Sequence, residues 1–272
     1  MTTIITTNGY TGPTDGLKAL EDYELLPQRG LLALYEMTEG AGAVANDTKG
    51  SGVTRPGAIA GSVAWKSATI SGKSVVQGLT FSSGTGRIET PITSPLPGVG
   101  CTWIVALKIA TIDQPGLFNA VATSLSSVEG GVDGIAGAYY STNDLQAYAS
   151  AYVEGNLVTV PENASTIGTD GAIHLYMLSW AGGDTFEVQH LEKGISGFVV
   201  APGYGSGIAN LCFGFNPAAP AMRGFNGDIY YAIAYDRPLS GVPSPTNPTG
   251  PSERAKVLMW VRTELAKRGL IF

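Results

Sequence analysis

Charge is scarce in this 272-residue chain: Asp, Glu, Lys and Arg make up 14% of it, against about a quarter in an ordinary globular protein. The formal net charge is −6, and the sequence lacks the Lys and Arg surplus that phosphate neutralisation requires. General nucleic-acid binding is therefore excluded. No apolar run approaches the roughly 18 residues that would read as a membrane span. The opening MTTIITTNGY has neither the basic start nor the apolar core of a signal peptide, so synthesis in a cytoplasm is the expectation.

Cysteine and histidine occur only twice each, as Cys101, Cys212, His174 and His190. Both cysteines sit in apolar, strand-like settings, GCTWIV and NLCFGF. They have no CxxC spacing and no clustered histidine, which argues against a redox or metal motif. They are buried thiols or, if their strands are neighbours, a disulfide. Both histidines fall inside strand candidates and read as half-buried strand residues. HExxH and G-x-S-x-G are absent, so zinc-protease and serine-hydrolase chemistry lack their essential parts.

What the chain has in abundance is glycine, 37 residues, together with Thr, Ser, Val and Ala. Turns and strands are favoured over helices. Strand candidates, each bounded by Gly, Asn, Asp, Ser or Pro, are Leu31–Glu36, Val75–Phe81, Thr102–Ile109, Gly116–Thr123, Ile135–Tyr140, Leu145–Tyr152, Ala172–Trp180, Thr185–Leu191, Ile208–Phe215 and Asp228–Tyr235. Ala-Gly-Gly-Asp after Trp180 is a hairpin signal. Strands in series without intervening helices point to an all-β, two-sheet antiparallel sandwich. Residues 1–27 read as an N-terminal arm, 28–240 as the sandwich, and 241–251 as a Pro-rich connector. In the connector, GVPSPTNPTGP, four prolines in eleven residues exclude helix and central strand.

Residues 252–272 carry a C-terminal helix. Ser252 caps it, Glu253 and Lys267 suit the dipole, and Gly269 stops it. Val257 or Leu258, Val261 and Leu265 form one apolar stripe, with Trp260 beside it. Five of the sixteen basic residues lie in Arg254–Arg268, whereas ten acids and no base lie between Lys108 and Lys193. Such a helix suits either packing on its own domain or docking onto another subunit.

Motifs that imitate catalysis fail on context. Ser71-Gly72-Lys73-Ser74 resembles the end of a phosphate loop, but the following VVQGLTF is strand-like and offers no helix N-terminus. Gly203-Tyr204-Gly205-Ser206-Gly207 likewise precedes a strand, so it is not a dinucleotide fingerprint. A glycoside hydrolase needs two carboxylates at a set separation. The nearest pair, Asp184 and Glu187, has odd spacing and falls on opposite faces of a strand. The expectation is a protein that is not an enzyme.

Three segments together resemble the laminin-G-like (concanavalin A-like) jelly rolls. GLLALYEMTEGAGAVANDTKG, residues 30–50, matches a strand ending in an aromatic, an acidic-Gly stretch and an Asp-x-x-Gly turn. From Val75, VVQGLTFSSGTGRIETP is similar to the next strand pair, ending in Ile-x-Thr-Pro. Phe225-Asn226-Gly227-Asp228-Ile229, running into Ala234-Tyr235-Asp236-Arg237-Pro238-Leu239-Ser240, is similar to the final strand. The terminal helix after Leu-Ser also resembles phage and prophage members.

The resemblance implies a lectin-like sandwich in a bacteriophage virion protein that attaches to host-surface glycan or decorates the particle. A glycoside hydrolase and a purely architectural capsid or tail part are the alternatives. Other virion proteins would be met through the N-terminal arm or the terminal helix, and a homo-oligomer is expected. Aromatic stacking and planar polar groups bind sugars, which selects Tyr139, Tyr140, Asn143, Tyr148 and Tyr152; ordinary core and surface tyrosines are the rival reading. If Ile135–Tyr140 and Leu145–Tyr152 form a hairpin, Tyr148 and Tyr152 share a face. Many relatives hold Ca2+ where the early Asp turn meets the last strand, which selects Asp47 and Asp228 as ligands. The rival is that Asp47 caps its own turn and Asp228 is solvated.

Overall fold

Alternation disappears where the chain is most apolar. Strands β7 (Cys101–Ile109), β14 (His174–Trp180) and β19 (Gly227–Tyr235) have almost no exposed residue on either side. A computed structural model shows why: both faces of the sheet they form are covered. It describes residues 26–49, 52–82, 84–93, 100–110, 118–123, 126–128, 131–133, 135–141, 147–153, 156–159, 171–181, 185–192, 194–200, 210–215, 223–224 and 226–271. Within 118–159, and at 185–186, 195, 199–200 and 223–224, only the backbone is described.

The covered sheet has the order β16 (Ile195–Val200), β15 (Thr185–His190), β14, β7, β19, β5 (Lys73–Phe81) and β4 (Val63–Ile70). β1 (Leu31–Tyr35) adds to β19 beyond a bulge at Ile229/Tyr231. Gly78 lies where β5 runs past that bulge. A Cβ there would stand 2.6 Å from the Ile229 carbonyl oxygen, so only glycine fits. The second sheet runs β13 (Asn156–Thr159), β12 (Ala147–Val153), β11 (Ile135–Ser141), β8 (Phe118–Thr123), β17 (Asn210–Gly214), β6 (Arg87–Thr93), β3 (Gly57–Ala60) and β2 (Val44–Ala45). β18 (Arg223–Gly224) joins β8 in parallel, and β9 (Ser126–Val128) with β10 (Gly131–Asp133) makes a separate ribbon. The other pairings are antiparallel, as expected for an all-β sandwich.

Two apolar layers hold this together. Between the sheets, Tyr35, Leu79, Phe81, Trp103, Val105, Leu178 and Trp180 meet Ile88, Ile92, Leu211 and Phe213. On the far side of the first sheet, Ile104, Ala106, Leu175, Met177, Tyr231 and Ile233 lie under helix α1 (Glu253–Lys267). The helix buries Val257, Val261 and Leu265, spaced four apart along one face. Each is worth about 2 kcal/mol of burial.

Both helix ends are as the residues dictate. Ser252 Oγ accepts from the Ala255 amide at 3.2 Å. At the other end the Gly269 amide donates to the Ala266 carbonyl and the Leu270 amide to the Leu265 carbonyl, a Schellman closure made available by φ +68° at Gly269. Leu270 then packs into the same apolar layer as Leu265.

Salt bridges fasten α1 to the sheet. Arg254 grips Glu187 of β15 with two nitrogens, at 2.8 and 2.6 Å. Glu253 grips Arg237 the same way and also accepts the Ser240 amide. Arg268, the C-cap residue just before Gly269, is buried. Its guanidinium donates to the carbonyls of Glu36, Gln77 and Tyr230 and to the Tyr231 hydroxyl, and lies over the Tyr231 ring. The apolar stripe that would dock on a partner is thus covered by the helix's own sheet. Of the N-terminal arm, residues 1–25 lie outside the described residues, while Leu26 packs beside Tyr235 and Pro27 accepts its hydroxyl.

Candidate functional site

With α1 over the first sheet, attention falls on the outer face of the second. On β6, Arg87 and Glu89 form an ion pair on this face. Beside them on β17 lies Cys212, whose thiol is pushed up to about 12 by burial and then by the Glu89 charge. Cys101 belongs to the other sheet and points into the inter-sheet core. Both thiols are buried and no disulfide joins them, so the disulfide alternative falls away.

Backbone register carries this outer row along the sheet. Glu89 pairs with Cys212, Cys212 with Thr123, Thr123 with Ala136, and Ala136 with Tyr152. Directly paired residues belong to one face, and alternate residues of a strand return to it. Positions 152, 150 and 148 of β12 therefore fall in the outer rows. So does position 140 of β11, which pairs with Tyr148. Tyr139, paired with Ala149, falls on the opposite face. The structure thus groups three of the four chosen tyrosines by register and separates the fourth. Asn143 lies outside the described residues.

The two aspartates chosen as calcium ligands are already engaged by protein donors. Asp47 Oδ1 accepts the Leu34 amide at 3.0 Å and the Lys49 amide at 3.2 Å, and Oδ2 accepts the Arg55 amide at 2.8 Å. Lys49 also stands 3.9 Å from Oδ2. Burial, then the neighbouring Arg55, draws its ammonium below the usual lysine range. Asp228 Oδ1 accepts the Thr80 hydroxyl at 2.7 Å, while Oδ2 takes the Lys66 ammonium and the Tyr230 hydroxyl. Donors and ammonium groups around both carboxylates build an anion cradle, whereas Ca2+ asks for six to eight oxygens. Asp47 and Asp228 do not fit a calcium site. Asp47 knots its own turn, as in the rival reading, but Asp228 is buried and paired rather than solvated.

The histidines, expected as separate half-buried strand residues, are neighbours. His174 opens β14 and His190 closes β15, with Nδ1 of the first 3.0 Å from Nε2 of the second. Glu192 completes the cluster. The sequence signal was the pairing of two strand candidates around the Ala-Gly-Gly-Asp turn, which brings their open ends together. Of the pair considered for glycoside cleavage, Glu187 is held by Arg254, and Asp184 lies outside the described residues. A cavity of about 250 Å3 beside Arg254, lined by Gln189, Leu191, Gly241, Ser252, Ala255 and Leu258, sits where the helix meets the sheet edge.

No protein-family model and no curated protein matches the chain. Solved structures do. A sialidase of Trypanosoma rangeli in complex with 2,3-difluorosialic acid is similar at 14% identity and a TM-score of 0.57, over 88% of this chain and 34% of that one. A mutant of the same sialidase displaying trans-sialidase activity is similar at 14% identity and a TM-score of 0.51, over the same shares. Domain 4 of AbnA, a GH43 extracellular arabinanase from Geobacillus stearothermophilus in complex with arabinotriose, gives 15% identity and a TM-score of 0.48, over 77% of this chain and 94% of that one. The chain spans about a third of the sialidases it matches. At these identities the sialidase likeness establishes the fold alone, and the arabinanase domain adds no weight to it.

The likeness corrects one expectation. A sandwich without a sequence-local carboxylate pair was read as not an enzyme, yet this fold occurs within sialidase chains. The architecture therefore does not separate the protein from glycoside-hydrolase-like chains.

Proposed function

We propose that the chain is a carbohydrate-binding sandwich whose saccharide lies across the outer face of the second sheet, at its β11–β12 end. The observation that carries the reading is the register that sets Tyr140 opposite Tyr148 and leads from Glu89 and Cys212 to Tyr152. Two aromatic positions paired across β11 and β12, with a third two rows along the same face, offer stacking positions to a saccharide, and the other sheet's outer face is closed by α1. The finer reading is a laminin-G-like module of a bacteriophage particle, serving host-glycan attachment or decoration; the three resembling segments support it.

A glycan array on the purified chain, followed by titration of the tightest oligosaccharide, tests the proposal. Tyr148→Ala or Tyr152→Ala should weaken binding about tenfold, equivalent to about 1.4 kcal/mol, while Tyr139→Ala on the opposite face should not change it selectively. Equal losses from all three variants at unchanged melting temperature, or no glycan bound at all, would defeat it. The sialidase-like fold motivates a second reading, turnover of the bound glycan, which new reducing ends in the same incubations would reveal. Peptides of this chain in gradient-purified phage particles would test the particle setting.

A further inference from the structure

The chain's only two histidines converge, with one carboxylate, at the open end of the β14–β15 hairpin. β14 and β15 pair with Tyr176 opposite His190, and the Leu191 amide continues the ladder to the Leu175 carbonyl. Glu192 therefore returns to the level of His174. Its Oε1 accepts the Leu175 amide at 2.7 Å, which fixes the carboxylate against the strand. Oε1 lies 3.8 Å from His174 Nδ1, and Oε2 lies 3.5 Å from His190 Nδ1. By alternation the histidines share the face of Tyr176, Leu178 and Trp180, the face turned to the second sheet. His174 and His190 are 5% and 1% exposed.

We infer that His174, His190 and Glu192 form a binding site for a divalent transition-metal ion of the zinc class. One imidazole nitrogen from each histidine and one carboxylate oxygen all lie within 4.8 Å of one another. Tetrahedral ligands about 2.0–2.1 Å from zinc stand roughly 3.3 Å apart; His174 Nδ1 lies 3.0 Å from His190 Nε2 and 3.8 Å from Glu192 Oε1, two separations that bracket that value. The donor set is two nitrogens and one oxygen, which suits zinc, cobalt or iron and not the all-oxygen preference of Ca2+ or Mg2+. Binding requires both facing nitrogens to present lone pairs. The proton shared between the rings must then move to the distal nitrogen of the histidine that carries it. Three ligands come from the described residues, and zinc takes four in all. The Leu175 amide is the outer partner that orients the carboxylate.

The test uses the full chain, stripped with chelator and titrated with Zn2+ by calorimetry and thermal melting. One equivalent should bind, and Tm should rise by about 5 °C or more at a hundredfold excess over Kd, with no response to Mg2+ or Ca2+. Co2+ should produce visible d–d absorption. Glu192→Gln keeps an acceptor for the Leu175 amide and should weaken zinc at least tenfold, and His190→Ala should abolish the cobalt spectrum. Wild-type chain that neither binds Zn2+ nor shifts in Tm overturns the inference, whatever the variants do. Folded Glu192→Gln with unchanged affinity overturns it as well.

Discussion

Replacing Leu265 with Ala probes how the terminal helix belongs to the fold. Leu265 is fully buried, lies in line with Val257 and Val261 on the covered face of the first sheet, and supplies the carbonyl that closes the helix end with Leu270. Fully buried leucines cost about 2–5 kcal/mol on truncation to Ala. The strands beneath are buried on both sides and cannot collapse into the gap, so a cost of about 3 kcal/mol is expected. For a domain of this size that lowers Tm by roughly 6–12 °C. Urea unfolding followed by circular dichroism, beside differential scanning calorimetry, measures it. Thr263→Ala, on the exposed side of the same helix, should stay within about 0.5 kcal/mol. If Leu265→Ala is as mild as Thr263→Ala, the helix does not rest on the sheet, and its stripe is free for another partner.

Two further outcomes follow from the polar contacts. The Arg237 hydrogen bonds hold the Glu253 carboxyl below the ordinary glutamate value of 4.5. A depressed carboxyl stabilises the fold above its unfolded value and loses that contribution as pH falls through its folded one. The stability gap between wild type and Glu253→Gln should therefore be full at pH 7 and shrink below about pH 4.5, and a gap that grows in acid would contradict the pairing. Burial raises the Cys212 thiol to about 12 and Cys101 is fully buried. Neither should react with a thiol reagent at pH 8 until denaturant is added, whereas fast labelling of the native chain would argue against these positions.

Ten sequence-read strands recur with shifted ends, because apolar runs between turn residues fix where a strand lies more firmly than where it stops. β4 and β6 carry weak strand signals. β4 is an edge strand with Lys66 half-buried and Ala64, Ser67 and Thr69 exposed, so its pattern lacks a strong apolar signal. β6 contains Pro91, tolerated because pairing with β17 shifts between Asn210 and Cys212 opposite it. Ser71 and Gly72, which imitate a phosphate loop, are the two positive-φ residues of the β4–β5 hairpin turn.

At the sites, the common face of positions 148 and 152 was legible through hairpin pairing, since a period of two fixes a face. What single-strand periodicity cannot supply is the partner across a long separation. Asp228 meets Lys66, 162 residues away, and Arg268 reaches carbonyls and a hydroxyl of four other residues. The His174–His190 contact lay within reach of sequence reasoning but required commitment to the register of one hairpin.

Hydrogen–deuterium exchange of the chain with and without its tightest-binding oligosaccharide tests the central claim most directly. Slowed exchange is expected across residues 135–141 of β11 and 147–153 of β12, with helix α1 unchanged. Protection confined to α1 and the strands beneath it, with none in residues 135–153, would contradict the assignment of the recognition surface to the second sheet.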